Sequence, residues 1–509
     1  VRNMKLRTLA GQESDLTAEG GEIEIVGLTA DSREVKPGYL FAALPGVQVD
    51  GARFIRDAVD RGACAVLMAR DGEMDGHSLS SPLASPTPVI IKDRNPRKRL
   101  ALMAARFYGA QPGMVAAVTG TNGKTSVATF VREIWESLGI AAASLGTVGV
   151  VSPSGERQLG FTTPDPVRLH QEVLALTQEG VTHLAMEASS HGLAQHRLDG
   201  LRVNAAGYTN ISRDHLDYHA TFDDYAYAKL RLFGEVMAPG GVAVLNADAN
   251  HFQEFEAVSW ARGHRILSVG RKGRGICLTG VTANPRGQIM RIVHEGQDYE
   301  IDLPLAGEFQ ASNALVAAGL VIGCGGEAGK VFKALESLKG AKGRLEAVAH
   351  LENGASIYVD YAHTPDGLET TLTAMRPHTA GRLIVVFGCG GDRDTGKRPQ
   401  MGEISVRCAD LVFVTDDNPR SETPSDIRDQ IMKAATGAHN VGDRQEAITQ
   451  AIQSLGAGDV LIVAGKGHET GQVLADRTID FSDHDAVAYS LKQLGLNEMA
   501  AESKGEPHD

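Results

Sequence analysis

The apolar residues of this chain fall into short unbroken runs separated by stretches of helical spacing. From Met114 onward, MVAAVTG is a run of buried-strand type, and SVATFVREIWESLG repeats its apolar positions at helical intervals. HLAMEASS, VNAAGYTNIS and GVAVLNADA are further strand-like runs that stop at polar or glycine residues. The rhythm returns after residue 343 in RLIVVFGCGG, ADLVFVTDDNP and DVLIVAGKGHE. Alternating strands and helices predict an α/β protein whose sheets are mainly parallel and covered by helices. Between residues 270 and 304 polar and apolar residues alternate, which predicts a small antiparallel excursion. The first 110 residues carry shorter strand-like pieces, EIEIVGLTADSR, YLFAALPG and ACAVLMA, then a Ser/Pro-rich loop at 78–88 and a helical stretch from Pro96 to Tyr108.

Two breaks divide this pattern. Gln111-Pro112-Gly113 is a linker signal, and Leu338-Lys339-Gly340-Ala341-Lys342-Gly343 is a second. Three domains are therefore expected, at 1–111, 112–342 and 343–509, in keeping with a chain of 509 residues. The polar tail 498–509 is expected to fray, and no internal repeat is present.

Charge and composition narrow the function. With 50 Lys+Arg against 63 Asp+Glu, the net charge of −13 excludes a broad basic surface for nucleic acid or anionic membrane. Small anionic ligands stay open, because a few placed cations suffice for them. No apolar run is long enough for a membrane span, and the first residues lack the apolar core of a signal peptide. The 5 cysteines are scattered without CxxC spacing, which argues against disulfides and zinc and favours the cytoplasm, with most of them buried as small apolar residues. The 58 glycines have no collagen-like period, so they are expected in tight loops at strand ends.

The clearest of those loops is VAAVTGTNGKTS, residues 115–126. An apolar strand enters a Gly-rich turn, then Lys, Thr and a helix, the order that cradles phosphate on backbone N–H groups and a helix N-terminus. Lys124 is placed for the β- and γ-phosphates and Thr125 for Mg²⁺. The usual GxxxxGK[ST] spacing would put glycine at Val118, so this loop, opening at Gly120, is a shorter variant.

TGTNGKT resembles the ATP loop of the Mur ligases, which add amino acids to a UDP-sugar peptide precursor of the bacterial cell wall. The folylpolyglutamate synthetases are similar in the central domain. The resemblance implies a P-loop ATPase-like central domain, a Rossmann-like C-terminal ligase domain and a small N-terminal α/β domain for the UDP-sugar. It also implies an ATP-binding set of Gly120, Thr121, Asn122, Gly123, Lys124, Thr125 and Ser126, with Asn313 (in GEFQASN) at adenine and Asp360 (in DYAHTPD) at ribose. By the same resemblance Thr125 and Glu187 hold one Mg²⁺, while His215 and a carbamylated Lys229 hold another. Arg344 would face the phosphoryl group in transfer.

In the first domain, LTADSR and PGYLFAA resemble the family's UDP-binding segment, which assigns Ser32 to the uridine diphosphate. Phe161-Thr162-Thr163-Pro164 and the stretch from Ser189 to Gln195-His196-Arg197 resemble its sugar-dipeptide segments. Thr162, Thr163, Ser189, Gln195 and Arg197 are implied contacts, and Phe161 stands where the family often has Asn. Asp416-Asp417-Asn418-Pro419-Arg420 resembles the family version that adds meso-diaminopimelate rather than lysine. Chemistry agrees, because diaminopimelate has a second carboxylate that suits a guanidinium fork. Arg393, Asp417, Asn418, Pro419, Arg420, Gly465 and Glu469 are the residues implied for that amino acid, with Asp417 and Asn418 at its ammonium.

The expected activity is an ATP-dependent amide ligase working through an acyl phosphate, a monomer acting on small molecules. Lys124, Glu187, His215, Lys229 and Arg344 are its expected catalytic set. A lysine-adding or folylpolyglutamate-type ligase is the near alternative. A regulatory nucleotide-binding module would not need Glu187, His215 and Lys229 together, and a dinucleotide oxidoreductase would need a full GxGxxG, which neither the Gly388 nor the Gly465 loop provides.

Overall fold

The computed structural model describes residues 3–11, 16–46, 50–71, 87–212, 214–215 and 218–497. Most of the Ser/Pro-rich loop, the tail 498–509 and the first residues before Asn3 lie outside the described residues. The chain forms two compact units. One comprises Val1–Lys124, Gly139–Leu267 and Gly323–Gly325; the other comprises Thr125–Leu138, Ser268–Ile322 and Gly326–Asp509. The chain crosses between them inside the helix Lys124–Ser137 and again inside the strand Arg265–Gly270.

Besides the short antiparallel ladder of Met4–Lys5 with Glu24–Ile25, the first unit holds two sheets. The smaller pairs Gly27–Thr29, Tyr39–Ala43, Ala65–Ala69 and Val89–Asp93, all parallel. Strand periodicity sorts its side chains. Leu40, Ala42 and Leu67 pack with Leu100, Met103 and Phe107 of the helix Pro96–Tyr108. Phe41, Val66 and Met68 face the opposite way, onto Ile55, Ala58 and Val59. That helix spans the expected residues because its ends are marked. The Asn95 side chain accepts from the Lys98 N–H, Pro96 takes the first position, and Gly109 closes the last turn in the left-handed region.

The larger sheet places Met114–Thr119 between His183–Glu187 and Val203–Tyr208, all parallel, with Ala142–Gly146 and Met237–Asn246 continuing it on either side. The core strands are apolar on both faces, as expected of a parallel sheet covered by helices. Their carboxyl ends, at Thr119, Glu187 and Tyr208, lie side by side, where open α/β sheets bind ligands.

In the second unit, Ile276–Asn284, Gly287–His294 and Gln297–Leu303 form the expected antiparallel excursion. Its main sheet runs Glu346–His350, Ser356–Asp360, Val460–Ala464, Leu383–Phe387, Leu411–Val414, His439–Asn440. Every pairing is parallel except the first. One face packs on Pro365–Met375 and Lys397–Cys408, the other on Arg444–Gln453 and Asp483–Leu494. The expected linker at 338–343 has no regular structure but is anchored. Leu338 and Ala341 are buried, and the Lys339 N–H donates to the Glu133 carboxylate at 3.0 Å.

All 5 cysteines are free, and only Cys389 is fully buried, which corrects the expectation that most are. Among the described residues no helix is long and apolar enough to cross a membrane.

Candidate active site

The phosphate loop is built by its neighbours. The Thr121 N–H donates to the Asn210 carbonyl at 2.8 Å, the Asn122 N–H to Asn210 Oδ1 at 3.0 Å, and Thr209 Oγ1 to the Asn122 carbonyl at 2.6 Å. Gly120 must be glycine here, because a Cβ on it would lie 1.9 Å from Thr209 Oγ1. Lys124 Nζ donates to the carbonyls of Gly120 and Thr121 at 2.9 and 2.8 Å. Gly123 takes a positive φ of 87°, and Thr125 and Ser126 are buried in the first turn of the helix.

Lys229 reaches the same carbonyl. It lies on the helix Phe222–Arg231, which opens with a reciprocal capping box between Thr221 and Asp224. Its Nζ donates to the Gly120 carbonyl at 2.7 Å and sits over the Tyr225 ring at 4.4 Å. Only 1% of Lys229 is exposed. Burial, followed by the charge of Lys124 and partly offset by Asp214, pushes its amine well below the usual lysine range. Lys124 and Lys229 thus converge on one carbonyl of the phosphate loop, and burial shifts Lys229 toward its neutral, nucleophilic form.

Glu187 is 1% exposed. Its carboxylate accepts from the Thr147 N–H at 2.7 Å and from Thr147 Oγ1 at 3.2 Å, and no cationic side chain pairs with it among the described residues. The implied sugar-dipeptide residues gather around it. Thr147 Oγ1 and Thr162 Oγ1 are 3.0 Å apart, and Thr163 Oγ1 donates to the Glu187 carbonyl at 3.0 Å. Ser189 donates to Thr163 through both its N–H and its hydroxyl. Arg197 donates to the Thr163 carbonyl and to Gln195 Oε1, and Gln195 donates to the Tyr218 hydroxyl. The Arg197 guanidinium also lies 5.7 Å from the exposed Phe161 ring. Ser32 stands apart from this cluster in sequence, heading the short turn Ser32–Glu34 that Asp31 caps. His215 has a positive φ of 52° and packs edge-on against His191 with 5.0 Å between ring centres; His191 also meets Tyr218 and His219.

In the second unit, Arg344 lies over the Tyr361 ring at 4.6 Å, and its buried Nε has no hydrogen-bond partner. Gln310 donates to the Arg344 carbonyl and accepts from Asn313, tying the latter to the arginine. Asp360 accepts from the Leu345 and Ala362 N–H groups and from Thr371 Oγ1, and its burial raises its carboxyl above the usual range. Gly343 and Gly467 interlock: a Cβ on Gly343 would lie 2.3 Å from the Gly467 carbonyl carbon. His468 packs on Tyr361, and burial, with Arg344 and Lys342 nearby, lowers its pKa to about 4.

The loop of Asp417–Arg420 adjoins this cluster. A Cβ on Gly390 would lie 2.8 Å from Arg420 Nη1 and 3.7 Å from Arg393 Cγ, so both arginines flank that glycine. Arg420 Nη1 donates to the carbonyls of Gly391 and Asn418 at 2.9 and 3.3 Å, leaving Nε and Nη2 unpaired among the described residues. A Cβ on Gly391 would meet the Pro419 carbonyl oxygen at 1.9 Å, so the two loops are in direct contact. Asp417 is buried against Gly465, and Glu469 accepts from Asn418 Nδ2 at 2.9 Å. Cationic and anionic groups thus stand on adjoining loops, a combination that suits a zwitterionic ligand.

Sequence reasoning missed Thr147, Asn210 and Tyr225. Thr147 follows the strand Ala142–Gly146, and Tyr225 precedes Lys229 by one helical turn, signals that strand-end and i,i+4 spacing carry.

The Mur ligase family catalytic domain matches residues 24–108, the Mur ligase middle domain 118–321 and the Mur ligase glutamate ligase domain 343–467. The chain is 53% identical over 492 residues to the UDP-N-acetylmuramoyl-L-alanyl-D-glutamate–2,6-diaminopimelate ligase of Bradyrhizobium diazoefficiens, covering 96% of this chain and 99% of that one. It is 51% identical over 496 residues to the protein of the same name from Agrobacterium fabrum, with 96% and 99% covered. A solved structure of a ligase of that name superposes with a TM-score of 0.73 at 30% identity, over 97% of this chain and 99% of the other. A Mycobacterium tuberculosis folylpolyglutamate synthase structure shares the fold at 18% identity and a TM-score of 0.59, over 79% of this chain and 96% of that one. Relatedness at this level over nearly the full length, with all three domains matched in order, establishes that the chain belongs to the Mur ligase family.

Proposed function

We propose that this protein is the ATP-dependent ligase that joins meso-diaminopimelate to the D-glutamate of UDP-N-acetylmuramoyl-L-alanyl-D-glutamate, in the cytoplasmic synthesis of peptidoglycan precursors. The observation that carries the amino-acid choice is the pair Arg393 and Arg420 flanking Gly390, with the carboxylates of Asp417 and Glu469, both near Lys466, in the adjoining loops. The unpaired edge of Arg420 suits the carboxylate that diaminopimelate has and lysine lacks.

A carboxylate at neutral pH resists attack by an amine. In this reading the γ-phosphoryl group of ATP passes to the glutamate side-chain carboxylate, giving an acyl phosphate and ADP. The diaminopimelate amine then attacks the acyl carbon, loses its proton, and phosphate leaves as the amide forms. Lys124 neutralises phosphate oxygens at the loop, and Arg344 supplies an unsatisfied donor to the transferring group. Asn313 and Asp360 lie on the adenine and ribose side. Ser32, Thr162, Thr163, Ser189, Gln195 and Arg197 hold the UDP-sugar dipeptide. Segments 1–111, 112–342 and 343–509 then serve the UDP-sugar, ATP and the amino acid respectively, in one monomeric chain.

The residues fit Mg²⁺. A buried carboxylate without a cationic partner, as at Glu187, costs free energy that a divalent ion offsets. Thr125 and Glu187 would hold one ion; His215 and Lys229, the latter as a carbamate, would hold a second. Bound there, Mg²⁺ supplies charge that screens the phosphates from the attacking carboxylate. The neutral amine of Lys229 is the form that adds carbon dioxide.

The test is phosphate release by the purified chain with ATP, Mg²⁺ and the UDP-dipeptide. Turnover should depend on meso-diaminopimelate. Release indifferent to that amino acid overturns the assignment, and equal rates with lysine overturn its selectivity.

A further inference from the structure

Lys466 is assigned nothing in the chemistry above. It stands between Gly465 and Gly467 just after the strand Val460–Ala464, with a side-chain exposure of 0%. Its Nζ donates to Asn418 Oδ1 at 3.0 Å and to the Gly471 carbonyl at 2.7 Å, and lies 3.5 Å from the Asp417 carboxylate. Asn418 Oδ1 also accepts from the Val473 N–H at 2.9 Å. On the other side of the same carboxamide, Nδ2 donates to Glu469 Oε2 at 2.9 Å. Two donors on the oxygen and an acceptor on the nitrogen fix the amide one way round. Reversing it would set an NH₂ group against an ammonium and a backbone N–H and would break all three bonds. The backbone is held too: Asn418 has a φ of 44°, in the left-handed region, and its N–H donates to Gln472 Oε1 at 3.1 Å.

This arrangement changes what Asn418 can offer a ligand. Its oxygen is engaged by Lys466 and Val473, so the acceptors left for an ammonium are the carboxylates of Asp417 and Glu469. Asn418 retains a second Nδ2 hydrogen, which is a donor for a carboxylate.

We propose that Lys466 is a positioning residue of the amino-acid site: it holds the Asn418 carboxamide with its NH₂ edge beside Glu469, so that Asn418 donates to a carboxylate of the incoming amino acid instead of accepting from its ammonium. The inference rests on reading this pocket as the diaminopimelate site.

Steady-state phosphate release by the full chain tests it. Lys466→Met is expected to raise KM for meso-diaminopimelate by about 10- to 100-fold, the loss that follows when a hydrogen bond to a charged group is disarranged. KM for ATP and for the UDP-dipeptide should stay within about twofold of wild type. On an Asn418→Ala background the same substitution should add nothing, because its effect runs through Asn418. An unchanged KM for diaminopimelate in Lys466→Met, or losses that multiply in the double variant, overturns the proposal. If thermal melting shows Lys466→Met to be unfolded, Asn418→Asp decides with Lys466 in place. It removes the donor and keeps the ion pair, so a wild-type KM for diaminopimelate there also overturns it. Wild-type protein without diaminopimelate-dependent turnover defeats the reading of the pocket itself, whereas variant results that fail in an active wild type defeat this inference alone.

Discussion

Arg420 engages the protein with one nitrogen, and its Nε and Nη2 have no partner among the described residues. Arg420→Lys keeps the charge and loses the fork. KM for meso-diaminopimelate is expected to rise about 10- to 100-fold, with a narrower preference over lysine, measured by phosphate release with each amino acid. A second residue-scale expectation concerns pH. His170 and His468 are both held at a pKa of about 4, chiefly by burial. Their unfolded value is near 6.5, so the unfolded chain binds more protons between those limits. Stability contributed by the neutral imidazoles is therefore full above pH 6.5 and is lost as pH falls toward 4, by up to about 1.4 kcal/mol per pH unit for each group. Denaturant unfolding at pH 7 and pH 5 should show a shallower decline in His170→Phe than in wild type; parallel declines would refute it. Arg420 and Glu469 were proposed from sequence because each sits in a string with a recognisable chemistry, and the structure sets their loops side by side. Lys466 was not. Its burial depends on Asn418 and Gly471, acceptors in separate segments of the chain, and no local spacing announces that.

Among elements, the strands were the most legible, because an apolar run bounded by polar residues has few other solutions. What escaped was how they are joined. The strand Met237–Asn246 begins ahead of the GVAVLNADA run, and a π-helical turn, Leu232–Val236, delivers the chain to it. The segment 338–343 read as a linker from its Gly and Lys content, yet the helix Lys124–Ser137 anchors it through Glu133. Burial raises the Glu133 pKa to about 7, against the pull of the Lys339 N–H and Arg132. An acid with a raised folded pKa favours the fold below its unfolded value of 4.5 and loses that contribution as pH rises through 7. Glu133→Gln mimics the protonated form and keeps an acceptor for Lys339. It should match wild type near pH 5 and exceed it by about 1–3 kcal/mol at pH 8, measured by denaturant unfolding. Equal stability at pH 8 would show that the carboxylate is well solvated.

For the molecule as a whole, the charge of −13 and a set of anionic substrates leave attraction to a few placed cations, proposed above as Lys124, Arg197, Arg344, Arg393 and Arg420. Long-range steering by the protein's net field opposes such ligands, and salt screens that opposition. The value of kcat/KM for the UDP-dipeptide should therefore change by less than about threefold between roughly 50 and 300 mM KCl. A steep decline would reveal a basic surface that the sequence denies. The order of the three domains was legible because each carries its own motif, whereas the two compact units divide within a helix and a strand that are continuous elements, and no sequence boundary marks those places. One such contact sets a limit on change. Gly343 and Gly467 meet with no room for a methyl group between them. The peptide of the proposed amino-acid pocket is thereby geared to the peptide that precedes Arg344, like two teeth in mesh. Re-tooling the 465–469 loop for a different amino acid would turn the arginine as well, so in this enzyme the choice of substrate and the speed of turnover are expected to be altered together.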